Sequence, residues 1–420
     1  MYKVGMLENG LKVMAEPMKH MESVAIGIWI RAGGRYEEKR LIGISHLLEH
    51  LLFKGTATRD MMTIKQEIEG RGGSFNGFTS EENTCYLVKV LAKDAELGID
   101  ILSDMVLNPK LEGAEIEKEK NVIVEEINMY KDIPSQYVHE ILAEMMWPDQ
   151  PLGMPLAGTV DSVRAITRAE LVAYKEAYYN PKNMLIIGAG HIEADELADK
   201  AKKYLLKAKA KEASKFEKVV LAQEAPRARV MSKETEQTHL ALGLHTVDRF
   251  HPDKHVVSLI NIVMGANMSS RLFHIVRDEM GLCYEISSSV RRYEDCGAFV
   301  ISAGVEEKKL VKSIEVILKE LRRITEEPIT KDELRRAREY YRGQLLFALE
   351  DTMSHMLWIG DKVIAGEKDV SVKGILAKID TVTPDDMLRV AGELFRQASL
   401  NLAVIGPVKD DTKIKDALHF

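Results

Sequence analysis

Gly43-Ile44-Ser45-His46-Leu47-Leu48-Glu49-His50-Leu51-Leu52-Phe53 has no helix breaker after Gly43, and Ser45 stands where a side chain can cap the following turn. The stretch therefore reads as a helix. His46 and His50, four residues apart, stack on one face of it. Two imidazoles so placed can grip one cation, and Zn²⁺ favours nitrogen ligands in a tetrahedral site. At about 100° per residue, His50 lies about 40° round from His46 and Glu49 about 60° to the other side. Glu49 thus flanks the pair without joining it. Leu47, Leu48, Leu51, Leu52 and Phe53 make the helix apolar nearly all round, so its polar side chains are buried and need partners. The plainer alternative is an amphipathic helix with two ordinary histidines.

A pair of histidines lacks an acidic ligand, and residues 112–132 read as a long helix that can supply one before Pro134 ends it. With Glu119 as origin, Val122, Ile123, Glu126 and Tyr130 fall within about 60° of it, while Glu117 and Glu125 point away. Two carboxylates therefore share an apolar stripe, and buried carboxylates demand a cation. Glu126 is the expected third ligand. Glu119 is the expected supporting carboxylate, orienting a ligand or balancing charge. A solvated ladder of Glu and Lys is the competing reading of this segment.

Outward from these two helices the chain has ordinary globular composition. Its 420 residues are enough for two or three domains, with 45% hydrophobic and 29% charged residues. A net charge of −7 gives no footprint for nucleic acid, and no apolar run reaches membrane-spanning length. Cys85, Cys283 and Cys296 are scattered and odd in number, as expected of reduced thiols. Residues 2–6, Glu8-Asn9-Gly10 and residues 11–15 read as strand, turn and strand, with no secretory signal before them. These features predict a soluble, cytoplasmic protein with neither nucleic acid nor a membrane as partner.

In chain order, residues 24–32 read as a strand ended by Gly33-Gly34, and Thr63 with Gln66 predicts a capping box for a short helix. Residues 74–79 and 84–90 read as two short strands. Thr167 with Glu170 predicts a further capped helix, followed by a strand over 184–189. Residues 207–215 are small, charged and free of aromatics, and mark the domain boundary: 1–212 and 213–420. Beyond it the plan repeats. Residues 238–245 alternate like the 24–32 strand, and 256–264 take the place of the metal helix without its ligands. Thr330 with Glu333 caps a long helix, and Ala403-Val404-Ile405-Gly406 parallels Leu185-Ile186-Ile187-Gly188.

His46-x-x-Glu49-His50 followed by Glu126 is a zinc-protease helix read backwards, and resembles the pitrilysin-like inverted zinc peptidases. That family includes insulin-degrading enzyme and mitochondrial processing peptidase, whose beta subunit and short bacterial relatives this chain resembles. Gly73-Ser74-Phe75-Asn76-Gly77-Phe78-Thr79-Ser80 looks like the family's substrate-binding edge strand. Ser269-Ser270-Arg271-Leu272-Phe273 through Arg277, Gly281-Leu282 and Tyr284 looks like its distal active-site segment. The resemblance implies an α+β fold of two homologous halves, each a twisted, mainly antiparallel sheet flanked by helices, facing each other around a closed chamber. It implies one zinc per chain on His46, His50 and Glu126, with Glu49 as general base and Glu119 in support. It also implies that Arg277 and Tyr284 reach the substrate carbonyl, and that the chain pairs as a homodimer. Without the family, Arg277 is a helix-end cation and Tyr284 a strand aromatic. Asn76, Gly77 and Phe78 would hold an unfolded peptide as an added strand, unless that strand is an ordinary one paired within the protein.

Three functions follow. The first is a zinc endopeptidase acting on unfolded peptides. The second is a non-catalytic, chaperone-like scaffold on the same fold. The third is a catalytic subunit active only beside a different partner. Retention of all the ligands, Glu49 and the distal pair in one chain favours the first.

Overall fold

The structure, a computed structural model, describes residues 4–368 and 370–420. It contains two sheets. The first is built from β1 (Val4–Met6), β2 (Lys12–Pro17), β3 (Ser23–Ile30), β4 (Ser74–Thr79), β5 (Thr84–Leu91) and β6 (Met184–Gly190), in the order β1-β2-β6-β3-β5-β4. The second is built from β7 (Arg227–Ser232), β8 (Thr238–Thr246), β9 (Cys283–Arg292), β10 (Gly297–Val305) and β11 (Asn401–Gly406), in the order β7-β11-β8-β10-β9. Each has one parallel pair, β2 with β6 and β7 with β11, and is otherwise antiparallel. Tyr2 and Lys3 of the expected first strand lie outside the described residues.

The two sheets repeat one topology, and the register aligns them residue by residue. A row across the first sheet runs Met184, Ile30, Thr84, Thr79. Its counterpart runs Leu402, Leu242, Ile301, Ser288. The duplication read from sequence is thus a duplication of strand pairing.

β3 and β6 are apolar almost throughout because both faces of the first sheet are covered. One face carries the main core with the Ile44–Leu52 helix. On the other, Met356 and Ile359 of the Thr352–Ile364 helix pack against Trp29, Cys85, Leu185 and Ile187. In the second sheet, Ile141, Leu142 and Met145 of the Pro134–Met146 helix pack against Ala241, Val300, Ala403 and Ile405. Each sheet is therefore closed by a helix encoded in the other half of the chain. One compact unit comprises Met1–Ile127, Pro155–Glu217 and Leu346–Ser371, and the other Asn128–Met154, Lys218–Leu345 and Val372–Phe420.

One local expectation changes. The Met61–Glu69 helix is capped by Asp60, whose side chain accepts from the Thr63 N–H, and not by a Thr63–Gln66 box. Asp60 is itself a strong cap, one turn earlier than the pattern chosen. Among the described residues, no helix is long and apolar enough to cross a membrane.

Candidate metal centre

The Ile44–Leu52 helix buries Ile44, Leu47, Leu48, Leu51 and Leu52 together with Ser45 and Glu49. Its start differs from the sequence expectation. Gly43 holds the cap position at φ 92°, and Ser45 lies inside the helix with its hydroxyl 2.8 Å from that of Tyr174. The cap is Glu37, whose carboxylate accepts from the N–H groups of Gly43 at 2.7 Å and Ser45 at 2.8 Å. A carboxylate here satisfies orphan donors and faces the positive end of the helix. Burial pushes Glu37 up to about 7, against the pull of its bonds to Ser45 and Gly43. A Cβ at position 43 would lie 2.7 Å from the Ala157 carbonyl oxygen, so the left-handed backbone and the close approach both require glycine.

Glu126 sits on the Gly113–Asp132 helix, whose buried side is Ile116, Glu119, Lys120, Ile123, Val124 and Ile127. Val122, placed by sequence on that stripe, is instead 49% exposed. The apolar stripe is centred one residue further round than a count from Glu119 indicates. The Nε2 atoms of His46 and His50 each lie 3.9 Å from the same Glu126 oxygen. One ligand atom from each of the three residues lies within 4.8 Å of the others, the one such group among the described residues. Tetrahedral zinc bonds of about 2.0–2.2 Å separate neighbouring ligands by about 3.4 Å, so the two 3.9 Å separations to Glu126 would close by about half an ångström around a shared ion. Two nitrogens and a carboxylate oxygen are also a zinc-type donor set. Burial and the adjacent His50 push His46 down to about 4, keeping its ring neutral with a lone pair to offer.

Glu49 is nearly buried beside this cluster. Its Oε2 accepts from the Thr79 hydroxyl at 2.6 Å. Burial raises its pKa and Glu126 adds to the rise, outweighing the hydrogen bond from Thr79 and the nearby His50. Thr79 ends β4, the edge strand, which pairs with β5 on its inner side. The backbone at Gly77 also runs close to the site: a Cβ there would meet the Phe53 ring at 3.1 Å and Glu49 Oε1 at 3.3 Å. Alternation then places Phe75, Gly77 and Thr79 on the Glu49 face, and Asn76 and Phe78 on the opposite one. Phe78 packs edge-on against Trp29 there, with ring centroids 5.5 Å apart.

Glu119 accepts from His50 Nδ1 at 3.1 Å through one oxygen and from Lys54 Nζ at 2.6 Å through the other. Burial works against its ionisation, but these two partners hold its carboxyl below the usual range. For His50, burial opposes the charged ring, and the bond to Glu119 with the fields of Glu49 and Glu126 turns the net shift upward. Arg277 and Tyr284 belong to the second unit and are joined to each other. Arg277 Nε donates to the Tyr284 carbonyl oxygen at 2.8 Å, and its guanidinium lies 4.5 Å from the Phe273 ring centroid. Arg277 lies in the last turn of a π-helical segment, Phe273–Glu279, a rare element frequent at functional sites, and Tyr284 is 78% exposed at the start of β9.

Sequence reasoning missed Glu37, Lys54 and Thr79. Only Lys54 left a signal, standing four residues after His50 and thus on its helical face. Glu37 and Thr79 reach the site through loop and sheet contacts that no local period encodes.

Residues 12–160 match the family described as insulinase (peptidase family M16), and residues 165–341 match the peptidase M16 inactive domain. An uncharacterized zinc protease of Bacillus subtilis, YmxG, is 35% identical over 95% of this chain and 97% of its own. Another, from Streptomyces coelicolor, is 33% identical over 98% of this chain and 91% of its own. Among solved structures, a protease from Helicobacter pylori shares the fold with a TM-score of 0.90 at 21% identity, covering 97% of this chain and 99% of that one. A site of two histidines and a glutamate on a duplicated α+β fold, with relatives of this identity along nearly the whole chain, shows that the protein belongs to the M16 family of insulinase- and pitrilysin-like peptidases.

Proposed function

We propose that the protein is a zinc-dependent endopeptidase that cleaves unfolded peptides held in extended form. The convergence of His46, His50 and Glu126 beside a buried Glu49 carries this reading. A zinc ion held by those three residues, one per chain, would act as a Lewis acid toward a water molecule and the scissile carbonyl. Glu49 is the proton carrier. Thr79 fixes one of its oxygens, leaving Oε1 beside Gly77 to take a proton from the attacking water and return it to the leaving amine. A carboxylate of raised pKa in a nearly dry setting suits both transfers. Glu119 supports the site by orienting His50. The outer edge of β4 offers backbone N–H and C=O groups to a peptide as an added strand, through Asn76, Gly77 and Phe78, with the Gly77 N–H exchanging its 2.9 Å bond to Asn76 Oδ1 for the peptide. Gly77 leaves the room such a backbone needs. Arg277 and Tyr284 are assigned to the substrate carbonyl as preorganised donors. Enclosure of the peptide in a chamber, a homodimeric working form and a cytoplasmic site of action belong to the same proposal.

The test is Glu49→Gln. The variant should bind one zinc as the wild type does and lose cleavage of a quenched peptide by at least about 100-fold. Loss of the metal, or cleavage at wild-type rate, overturns the assignment of the base. A scaffold reading has one observation in its favour, the inactive-domain match over 165–341, which lies outside the ligand set. That reading requires the zinc-loaded wild type to be as inert as Glu49→Gln.

A further inference from the structure

Lys54 has no part in the scheme above, yet it is tied to the metal centre more tightly than surface pairs are. It follows the Phe53 cap of the ligand helix, with its N–H donating to the Leu51 carbonyl oxygen at 3.1 Å. The loop beyond is pinned. The hydroxyls of Thr56 and Thr58 donate to Asp104 at 2.5 and 2.6 Å, and Arg59 donates to the same carboxylate at 3.2 Å. From this fixed backbone Lys54 reaches Glu119, whose side chain is only 7% exposed. An exposed ion pair contributes little, but a carboxylate at this depth without its cation is costly. Because an ionised carboxylate can only accept, Glu119 fixes the proton of neutral His50 on Nδ1 and leaves Nε2 free toward Glu126.

The duplicated half offers an internal control. Glu49 bonded to Thr79 corresponds to Asn261 bonded to Ser288, the hydroxyl donating at 2.7 Å. Counting from that anchor, His50 corresponds to Ile262 and Lys54 to Ala266. On the long helices, buried Ile116, Glu119 and Ile127 match buried Leu334, Ala337 and Leu345. Where the histidine is absent, so are the carboxylate and the lysine. The three side chains are kept or lost as a set, as expected if they serve one task.

We propose that Lys54 is a positioning residue of the metal centre: by holding Glu119 in place it sets the tautomer of His50 and so the presentation of Nε2 to the cation. This rests on the metal site proposed above but not on peptide hydrolysis. The test is therefore zinc affinity, measured by competition with a chromophoric chelator on the full chain. Lys54→Met should weaken zinc binding by about 10-fold or more, the scale for losing a partner behind a ligand. Lys54→Arg should stay within about threefold of wild type. Lys54→Met leaves buried Glu119 without its cation and should also lower the metal-free melting temperature, so the affinities are compared at a temperature where both proteins are folded. In a Glu119→Gln background, Lys54→Met should add nothing. Unchanged affinity in Lys54→Met, or an equal loss with and without Glu119, overturns the proposal. If Lys54→Met does not fold, nitrogen NMR of the metal-free wild type decides, at a pH where the ring is neutral: a His50 proton on Nδ1 supports the proposal and one on Nε2 overturns it. A wild type that binds no zinc would instead overturn the metal site.

Discussion

The Ile44–Leu52 helix with β4 and the Lys254–Met264 helix with β9 are the same construction carrying different side chains. In both, a side chain on the helix accepts a hydroxyl bond from the edge strand, Thr79 to Glu49 and Ser288 to Asn261. In the first, the surrounding positions hold imidazole, carboxylate and ammonium. In the second they hold Ile262, Ala337 and Ala266, with Ile262 and Ala337 buried. The scaffold therefore stands without the charges. Clustered ionisable groups in a partly buried site cost desolvation energy that an apolar set avoids, so their presence in one half only marks a task beyond folding.

The comparison breaks most visibly if a charge is returned to the apolar copy. Ala337→Glu places a carboxylate at a 2% exposed position with neither the lysine nor the histidine that serve Glu119. It should destabilise the protein by about 3–5 kcal/mol, read as a fall in the midpoint of urea unfolding. A wild-type midpoint would mean that the second site accommodates charge and that the two halves differ less than their side chains indicate.

The converse change sharpens the comparison. Glu126→Ala should lower zinc affinity by more than about 100-fold, beyond the effect of any supporting residue. Glu125→Ala, on the solvated side of the same helix, should leave zinc content unchanged. Metal analysis of the two purified variants checks both, and the opposite ranking would move the third ligand.

The smallest effect concerns the cap. Glu37 is raised to about 7 in the folded protein against about 4.5 unfolded, so the folded state holds its proton more tightly. Its contribution is full below about pH 4.5 and is lost as pH rises through about 7, a difference on the order of 3 kcal/mol. Glu37→Gln should flatten that part of the stability–pH profile, measured by thermal melting of the metal-free protein. An unchanged slope would assign the pH dependence elsewhere.

Much of this is legible in the sequence. The ligand helix, the long carboxylate helix and the Thr167–Glu170 and Thr330–Glu333 caps are local patterns, and all stand in the structure. The duplication was legible because parallel segments recur in the same order, and the strand registers bear it out. The misreadings share a cause. Ser45 was expected as the cap because a hydroxyl at a helix start is the local answer, whereas Glu37 supplies the cap from a preceding loop. Val122 was placed on the stripe by angle alone, although its exposure depends on what packs beside the helix.

The sequence by itself determined which residues form the two helices, which of their side chains are ligand types, and that the architecture occurs twice. These follow from spacing along one chain, where 3.6- and two-residue periods set which side chains share a face. Only the tertiary structure decided that Glu126 meets both imidazoles, that Lys54 stands behind Glu119, and that each sheet is closed by a helix from the other half. Those are contacts between segments far apart in sequence, selected by burial and charge pairing across the whole core, and no local period carries them.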